Sequence, residues 1–300
     1  MVMSNKLNLV FCSDDNYAPH LGVLICSIFE NKSGDYLVDI RVIDGGISEE
    51  NKRKIEILKV KYKFNLSFIK VKNEDFFGCP VTGYGSQAVY YRIMIPELVK
   101  DLDKVIYLDC DIIVQCDLMS LFDMDLKNYF LGASPEKITK ARRKQIGLND
   151  YFEYFNSAVM VLNLDEWRKK GISQKVFNFI LSNPNKIVAW DQDALNVVLR
   201  GSWLAIESRY NFFVSEYSNC LLEEKVIHYG GPTKPWHYHY VSKNNNQAPY
   251  FKYRSLTEWK DVKIHPSNYK QFILRIIKEL FPVNLILFLG KIKRFILRIN

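Results

Sequence analysis

The chain lacks paired cysteines. Its six (Cys12, Cys26, Cys79, Cys110, Cys116 and Cys220) are scattered through 300 residues with no CxxC spacing, which excludes a disulfide scaffold and points to a reducing, cytosolic compartment. Fourteen glycines and ten prolines are no enrichment at this length, so a repetitive or largely disordered chain is excluded. Met1 to Leu9 has no basic-then-apolar signal segment, and no secretion signal is expected. The first apolar strand is not followed by GxGxxG, so the dinucleotide fingerprint is missing. The composition does hold 48% hydrophobic and 14% aromatic residues, enough for one large packed domain.

Acidic residues are nearly absent from the C-terminal end. From Asn268 to Asn300 there are seven basic residues (Lys270, Arg275, Lys278, Lys291, Lys293, Arg294, Arg298) and one acidic, Glu279, so this stretch carries +6 of the net +8. The remaining body is close to neutral. Nucleic-acid binding calls for a basic stripe on the folded domain, and this partition argues against it.

The most informative stretch is Lys104 to Val114, KVIYLDCDIIV. Lys104 to Leu108 reads as a buried strand, too short and β-branched for a helix. Asp109 and Asp111 follow where the strand leaves the sheet, the end at which open α/β sheets bind ligands. Two aspartates two apart on an extended chain face the same side and repel each other unless a cation offsets them. Hard oxygen ligands suit Mg²⁺ or Mn²⁺, with phosphate oxygens completing the shell. The alternative is a polar turn with both carboxylates solvated.

The order of elements is β-α-β-α-β: strands at Leu7 to Cys12, Asp39 to Ile43 and Asn65 to Val71, and helices at Pro19 to Glu30 and Glu49 to Tyr62, the second capped by Ser48. This predicts a parallel sheet with right-handed crossovers. Asn73 to Ser86 reads as a loop, and a helix carrying Arg92 is expected from Gln87 to Leu98. Strands are expected at Tyr129 to Ala133, Asn156 to Leu164, Trp203 to Ile206 and Lys225 to Tyr229. Between them come a basic helix from Glu136 to Ile146, helices after Leu164 and after a Ser173 cap, and another opened by Trp190-Asp-Gln-Asp.

Six motifs, FCSDDNY, YYRI, YLDCDIIV, NSAVMVLN, WDQDALN and HYGGPTKPW, fall in an order that resembles glycosyltransferase family 8. The nearest members are bacterial lipooligosaccharide and lipopolysaccharide α-galactosyl- and α-glucosyltransferases, and the resemblance runs from Asn8 to Trp236. It implies an α/β fold of GT-A type, a Rossmann-like mixed sheet flanked by helices, with a UDP-sugar donor and Mn²⁺ or Mg²⁺. Asp109, Asp111 and His228 would be the metal ligands. Imidazole beside carboxylates suits Mn²⁺. The alternative for His228 is a satisfied core histidine. Gly231 and Lys234 would meet the diphosphate, and Cys110 between the two aspartates is implied among the UDP-sugar-binding positions. Cys12, Asp14, Asn16 and Tyr17 match the nucleoside pocket, with Asp15 expected as a helix cap. Arg92, Asn156, Ser157, Asp191 and Gln192 match the donor-sugar pocket. Arg92 paired with Asp109 could equally be structural, since a buried arginine needs a carboxylate partner.

Gln192 is implied to sit nearest the anomeric carbon. It is neutral and a poor nucleophile, which favours front-face displacement over a covalent intermediate, with Asp191 as the rival nucleophile. Glu136, Gly230 and Tyr84 depart from the lactose-directed members, which leaves the acceptor and the choice of galactose or glucose open. Residues 1–260 are expected to form the catalytic domain and 261–300 a basic amphipathic segment. That segment would lie on an anionic leaflet at the cytoplasmic face of the inner membrane, near a lipid-linked saccharide acceptor. Packing on protein is its alternative. The competing functions are a sugar-nucleotide-binding partner without turnover and a nucleotidyltransferase. The latter would need a glycine-rich basic loop where this chain has Asp14-Asp15.

Overall fold

Alternate residues of the first strand, β1 (Lys6–Ser13), enter two different cores: Leu7, Leu9 and Phe11 one, Val10 and Cys12 the other. The structure, a computed structural model, describes residues 6–80, 87–218, 224–242, 244–281 and Leu285. Tyr84, Cys220, and the tail from residue 286 onward lie outside the described residues. The two layers of core lie on opposite faces of one sheet. It contains β2 (Leu37–Asp44), β3 (Asn65–Lys70), β4 (Lys104–Leu108), and, after the short β5 (Ile112–Val114), β6 (Leu131–Pro135), β7 (Phe155–Asn163) and β8 (Trp203–Ala205), in the order β3-β2-β1-β4-β7-β6-β8. Strands β1 to β4 run parallel, as the alternating pattern predicts, while β7 runs antiparallel to β4 and β6. The described sheet is therefore mixed.

A second, smaller sheet contains β5, β9 (Phe212–Phe213) and β10 (Val226–His228), in the order β5-β10-β9. Helix α1 (Ala18–Glu30) covers one face. Its Gly22 leaves space for Trp259, whose ring lies 2.5 Å from where a Cβ would stand. Helix α2 (Glu49–Tyr62) begins as expected, with the Ser48 hydroxyl accepting from the Asn51 N–H at 3.3 Å.

Several local expectations are corrected. Asp15 does not cap α1: its carboxylate accepts from the Ser48 N–H at 2.8 Å and the Asn51 side chain at 2.7 Å, tying the β1 loop to α2. The basic helix starts at Lys140, not Glu136, because the Thr139 hydroxyl accepts the Arg142 N–H and sets the N-cap there. Ser173 is not a cap either. Gly171 takes that position in the left-handed region, while the Ser173 hydroxyl donates to the Ile93 carbonyl at 2.7 Å. Gln87–Met94 is a 3-10 helix, with the α-helix Ile95–Leu98 following; Pro96 lacks the N–H needed to carry one continuous α-helix through.

Three aromatic side chains fasten the loop after β10 to the body. His20 of α1 stacks on Trp236 with centroids 3.6 Å apart, and its Nδ1 lies 2.8 Å from the Tyr250 hydroxyl. Burial, then the neighbouring His237 and Arg254, push His20 down to about 3. The folded protein therefore holds it neutral, whereas the unfolded chain takes up a proton below about 6.5. Stability should be lost as pH falls from about 6.5 toward 3, by roughly 1–2 kcal/mol from this group at pH 5. Urea unfolding at pH 7 and pH 5 should show a smaller acid loss in His20→Phe than in the parent; equal losses would refute it.

Candidate active site

The carboxylates of the Asp-x-Asp stretch converge through a turn. β4 ends at Leu108 and β5 begins at Ile112, so Asp109, Cys110 and Asp111 are not extended as expected from strand alternation. The Asp109 N–H continues the ladder to the Ala158 carbonyl at 2.9 Å, while the Asp111 carbonyl accepts from the Tyr229 N–H at 3.0 Å. That second bond extends an antiparallel register in which His228 lies opposite Ile112. The imidazole is thereby set beside the Asp111 carboxylate, more than a hundred residues away in sequence. One ligand atom from each of Asp109, Asp111 and His228 lies within 4.8 Å of the others.

All fifteen positions named above for the nucleotide-sugar and cation site line one cavity of about 430 Å³ at the carboxyl end of β1 and β4. Ser13, Ala88, Val89, Tyr107, Glu136, Trp190, Phe213 and Gly230 also line it. Gly230 has a visible reason: a Cβ there would stand 2.5 Å from the Phe213 ring, which leans over this glycine. A bulge between Ala133 and Ser134 on β6 shifts its register with β7 at Asn156 to Met160, a device that commonly re-aims side chains beside active sites. Trp190 opens the helix Trp190–Val198 at φ +45°, a strained conformation for a non-glycine residue, and Asp191 and Gln192 follow it into the cavity.

Arg92 holds the acidic groups together. Its Nη2 lies 3.0 Å from Asp109 and its Nε 3.2 Å from Asp191, while Nη1 donates to the Ser157 carbonyl at 2.9 Å. The Tyr107 hydroxyl donates to Asp109 at 2.5 Å. At the other carboxylate, the Lys234 ammonium donates to Asp111 at 2.5 Å and to the Tyr229 carbonyl at 2.8 Å. Burial raises Asp191 to about 7, with Arg92 opposing and Asp109 adding to the rise. Asp109 is raised by burial and by repulsion from Asp111, against the pull of Arg92. Asp111 moves down: burial would raise it, but Lys234 and His228 outweigh that. His228 is lowered by burial, against the pull of Asp111.

The donor set fits a divalent cation. Asp111 Oδ1 is buried without a hydrogen-bond partner and lies 3.8 Å from His228 Nε2. Buried orphan oxygens are costly, and a cation in contact with both groups removes that cost. Three carboxylates, Asp109, Asp111 and Asp191, also exceed the two cations Arg92 and Lys234 that pair with them. Oxygen ligands with one imidazole match Mn²⁺ or Mg²⁺ chemistry.

The family model for glycosyl transferase family 8 matches residues 8–240. The chain belongs to this family. General stress protein A of Bacillus subtilis is 32% identical over 275 residues, covering 85% of the chain and 96% of the relative. The lipopolysaccharide 1,2-glucosyltransferase of Escherichia coli K12 is 28% identical over 251 residues, covering 78% and 74%. Among solved structures, the galactosyltransferase LgtC in complex with donor and acceptor sugar analogues matches with TM-score 0.76 and 29% identity, over 88% of this chain and 99% of that one. The family 8 chain is thus a glycosyltransferase with the GT-A fold.

Tyr154, Asp193 and Arg142, polar groups that support the cavity, were not among the site residues expected from the sequence. Tyr154 donates to Asp193 at 3.0 Å, and Asp193 is paired with Arg142. Gln192 donates to Tyr154 and Glu136, each at 3.0 Å, and accepts from the Ser157 N–H at 3.1 Å. The polar first turn WDQD was the available signal; its partners are distant in sequence. Removing Arg92 would strand the buried Asp191 carboxylate and the partly buried Asp109 carboxylate. Arg92→Ala should destabilise the protein by about 3–5 kcal/mol in chemical denaturation, and a loss below about 1 kcal/mol would show that the pairs carry little.

Proposed function

We propose that this glycosyltransferase is a retaining hexosyltransferase that moves galactose or glucose from UDP to a saccharide acceptor of the lipooligosaccharide or lipopolysaccharide core. The observation that carries this reading is the convergence of Asp109, Asp111 and His228 beside Lys234, in the same cavity as Cys12, Asp14, Asn16 and Tyr17. The Escherichia coli relative supports the acceptor class, while the name of the Bacillus relative specifies no sugar. Asp109, Asp111 and His228 would hold Mn²⁺ or Mg²⁺, which when bound supplies positive charge to the departing diphosphate.

This chain's own groups do the rest. Lys234, paired with Asp111 in the structure, is placed to turn its ammonium toward the diphosphate, and Gly231 leaves that approach open. Tyr17 offers a ring to the base, Asp14 an acceptor for its N–H, and Asn16 a partner for the ribose. Arg92, Asn156, Ser157 and Asp191 would hold the sugar hydroxyls. The Gln192 amide oxygen would face the oxocarbenium-like centre, its orientation fixed by Ser157, Glu136 and Tyr154. The neutral Gln192 is a poor nucleophile, which favours front-face displacement with a diphosphate oxygen taking the acceptor proton, while Asp191 lies 3.2 Å from Arg92. A glycosyl-Asp191 adduct trapped by a fluorosugar donor and seen by mass spectrometry would reverse this preference.

The protein incubated with Mn²⁺ and either UDP-galactose or UDP-glucose should release UDP from one of them. Asp111→Asn should lower that rate by about 10²–10³-fold. Donor binding without release would favour the non-catalytic sugar-nucleotide-binding reading.

The C-terminal segment enters the proposal in altered form. No helix among the described residues is long and apolar enough to cross a membrane. In the helix Tyr269–Leu280, two cations turn toward the body: Lys278 donates to Glu216 at 2.7 Å and to the His239 carbonyl at 2.9 Å, and Arg275 to the Tyr238 carbonyl at 2.8 Å. These two are not directed at lipid as expected. Tyr269, Phe272 and Leu280 are exposed. We retain residues 1–260 as the catalytic domain and 261–300 as a segment that rests on an anionic cytoplasmic leaflet, through those apolar side chains and the later basic residues. A chain ended after Leu285 should keep turnover on a soluble sugar and lose co-sedimentation with phosphatidylglycerol vesicles. Undiminished sedimentation would contradict the role of the basic end.

A further inference from the structure

We propose that Asn211 is a positioning residue that fixes the proton of His228 on Nδ1 and links the cation end of the cavity to Gln192 through Asn156 and Glu136. The proposal rests on the reading of Asp109, Asp111 and His228 as cation ligands, and Asn211 lies behind the cavity wall.

The assignment starts from a backbone group whose role is not in question. The Ala158 N–H can only donate, and it lies 3.0 Å from one end of the Asn156 amide, so that end is the oxygen. The other end lies 2.9 Å from the Glu136 carboxylate, which accepts and so faces the Asn156 NH₂. Both ends agree. The Asn156 oxygen also accepts from Asn211 at 2.8 Å, which makes the facing group of Asn211 its NH₂. The Asn211 oxygen is then the group 3.0 Å from His228 Nδ1. An amide oxygen only accepts, so Nδ1 carries a hydrogen. In a neutral imidazole Nε2 is then bare.

That bare nitrogen faces the orphan Asp111 Oδ1 at 3.8 Å. Two buried acceptors facing each other are mutually unfavourable, and a cation between them is the remedy the geometry offers. Glu136 closes the other side, since its Oε2 also accepts from the Gln192 NH₂ at 3.0 Å. One chain of amides and a carboxylate thus sets the orientation of both a cation ligand and the side chain proposed to face the anomeric carbon. The placement of Asn211 follows from its position just before β9, which pairs with β10 so that Phe213 lies opposite His228.

The test uses the full chain labelled with ¹⁵N-histidine, without metal, near pH 7.5. Long-range ¹H–¹⁵N correlation spectra report the tautomer, and His228→Gln identifies the resonance. The expected pattern for His228 is the neutral Nδ1–H form; an Nε2–H form or an imidazolium would overturn the proposal. Asn211→Leu should mix the tautomers and weaken Mn²⁺ binding, followed by water-proton relaxation with UDP present, by about 10–100-fold. Asn211→Asp keeps an acceptor for Nδ1–H and should keep the tautomer. An Asn211→Leu protein with unchanged tautomer and Mn²⁺ affinity would also overturn the proposal. Should that variant not fold, the parent spectrum and Asn211→Asp decide. If His228→Gln binds Mn²⁺ as the parent does, the cation-ligand reading fails, and the tautomer spectra still decide the role of Asn211.

Discussion

Much of the structure around the cavity follows from bringing Asp109, Asp111 and Asp191 together in one cavity. Isolated buried carboxylates are very costly, so each needs a partner brought by the fold. Arg92 serves two of them and Lys234 the third. The pairing leaves one carboxylate in excess and one oxygen each of Asp111 and Asp191 without a hydrogen-bond partner. This residual imbalance makes the site receptive to a divalent cation and, with it, to a diphosphate.

The sheet supplies the geometry for this confinement. β4 ends and β5 turns away from the main sheet, so Asp109 and Asp111 lie on a turn between two rigid strands. β10 returns against β5 in a register that sets His228 next to the turn, and the loop after it carries Lys234. Aromatic packing of His20 and Trp236 holds that loop to α1. Elsewhere around the cavity, the β6 bulge and the positive φ at Trp190 accompany the inward placement of Asn156, Ser157, Asp191 and Gln192. Local strain of this kind persists where surrounding packing fixes it, and here the Arg142–Asp193 pair and the Tyr154 hydroxyl stand directly beneath.

The polar support is continuous from one wall to the other. Glu136 accepts from both Asn156 and Gln192 and so joins these two side chains. Gly230 and Phe213 form a second such pair, the glycine leaving room for the ring. Both lie at the cavity.

The apolar periodicity of β1 and β4, the Ser48 cap and the ordered motifs were sufficient to indicate an α/β sheet and membership of glycosyltransferase family 8. These signals are local: a strand's alternation and a cap's hydrogen bond are written within a few residues. The basic helix starting at Lys140, the roles of Asp15 and Ser173, and the inward turn of Arg275 and Lys278 were not legible, because each depends on a partner from a distant segment. Asn211 gave no signal at all. Its role exists only through a strand register and a chain of amides whose donors and acceptors are assigned in space. The sequence by itself determined which chemical groups the site contains; tertiary structure decided which of them share charge, hydrogen bonds and a single cavity, since those interactions act over a few ångströms and not along the chain.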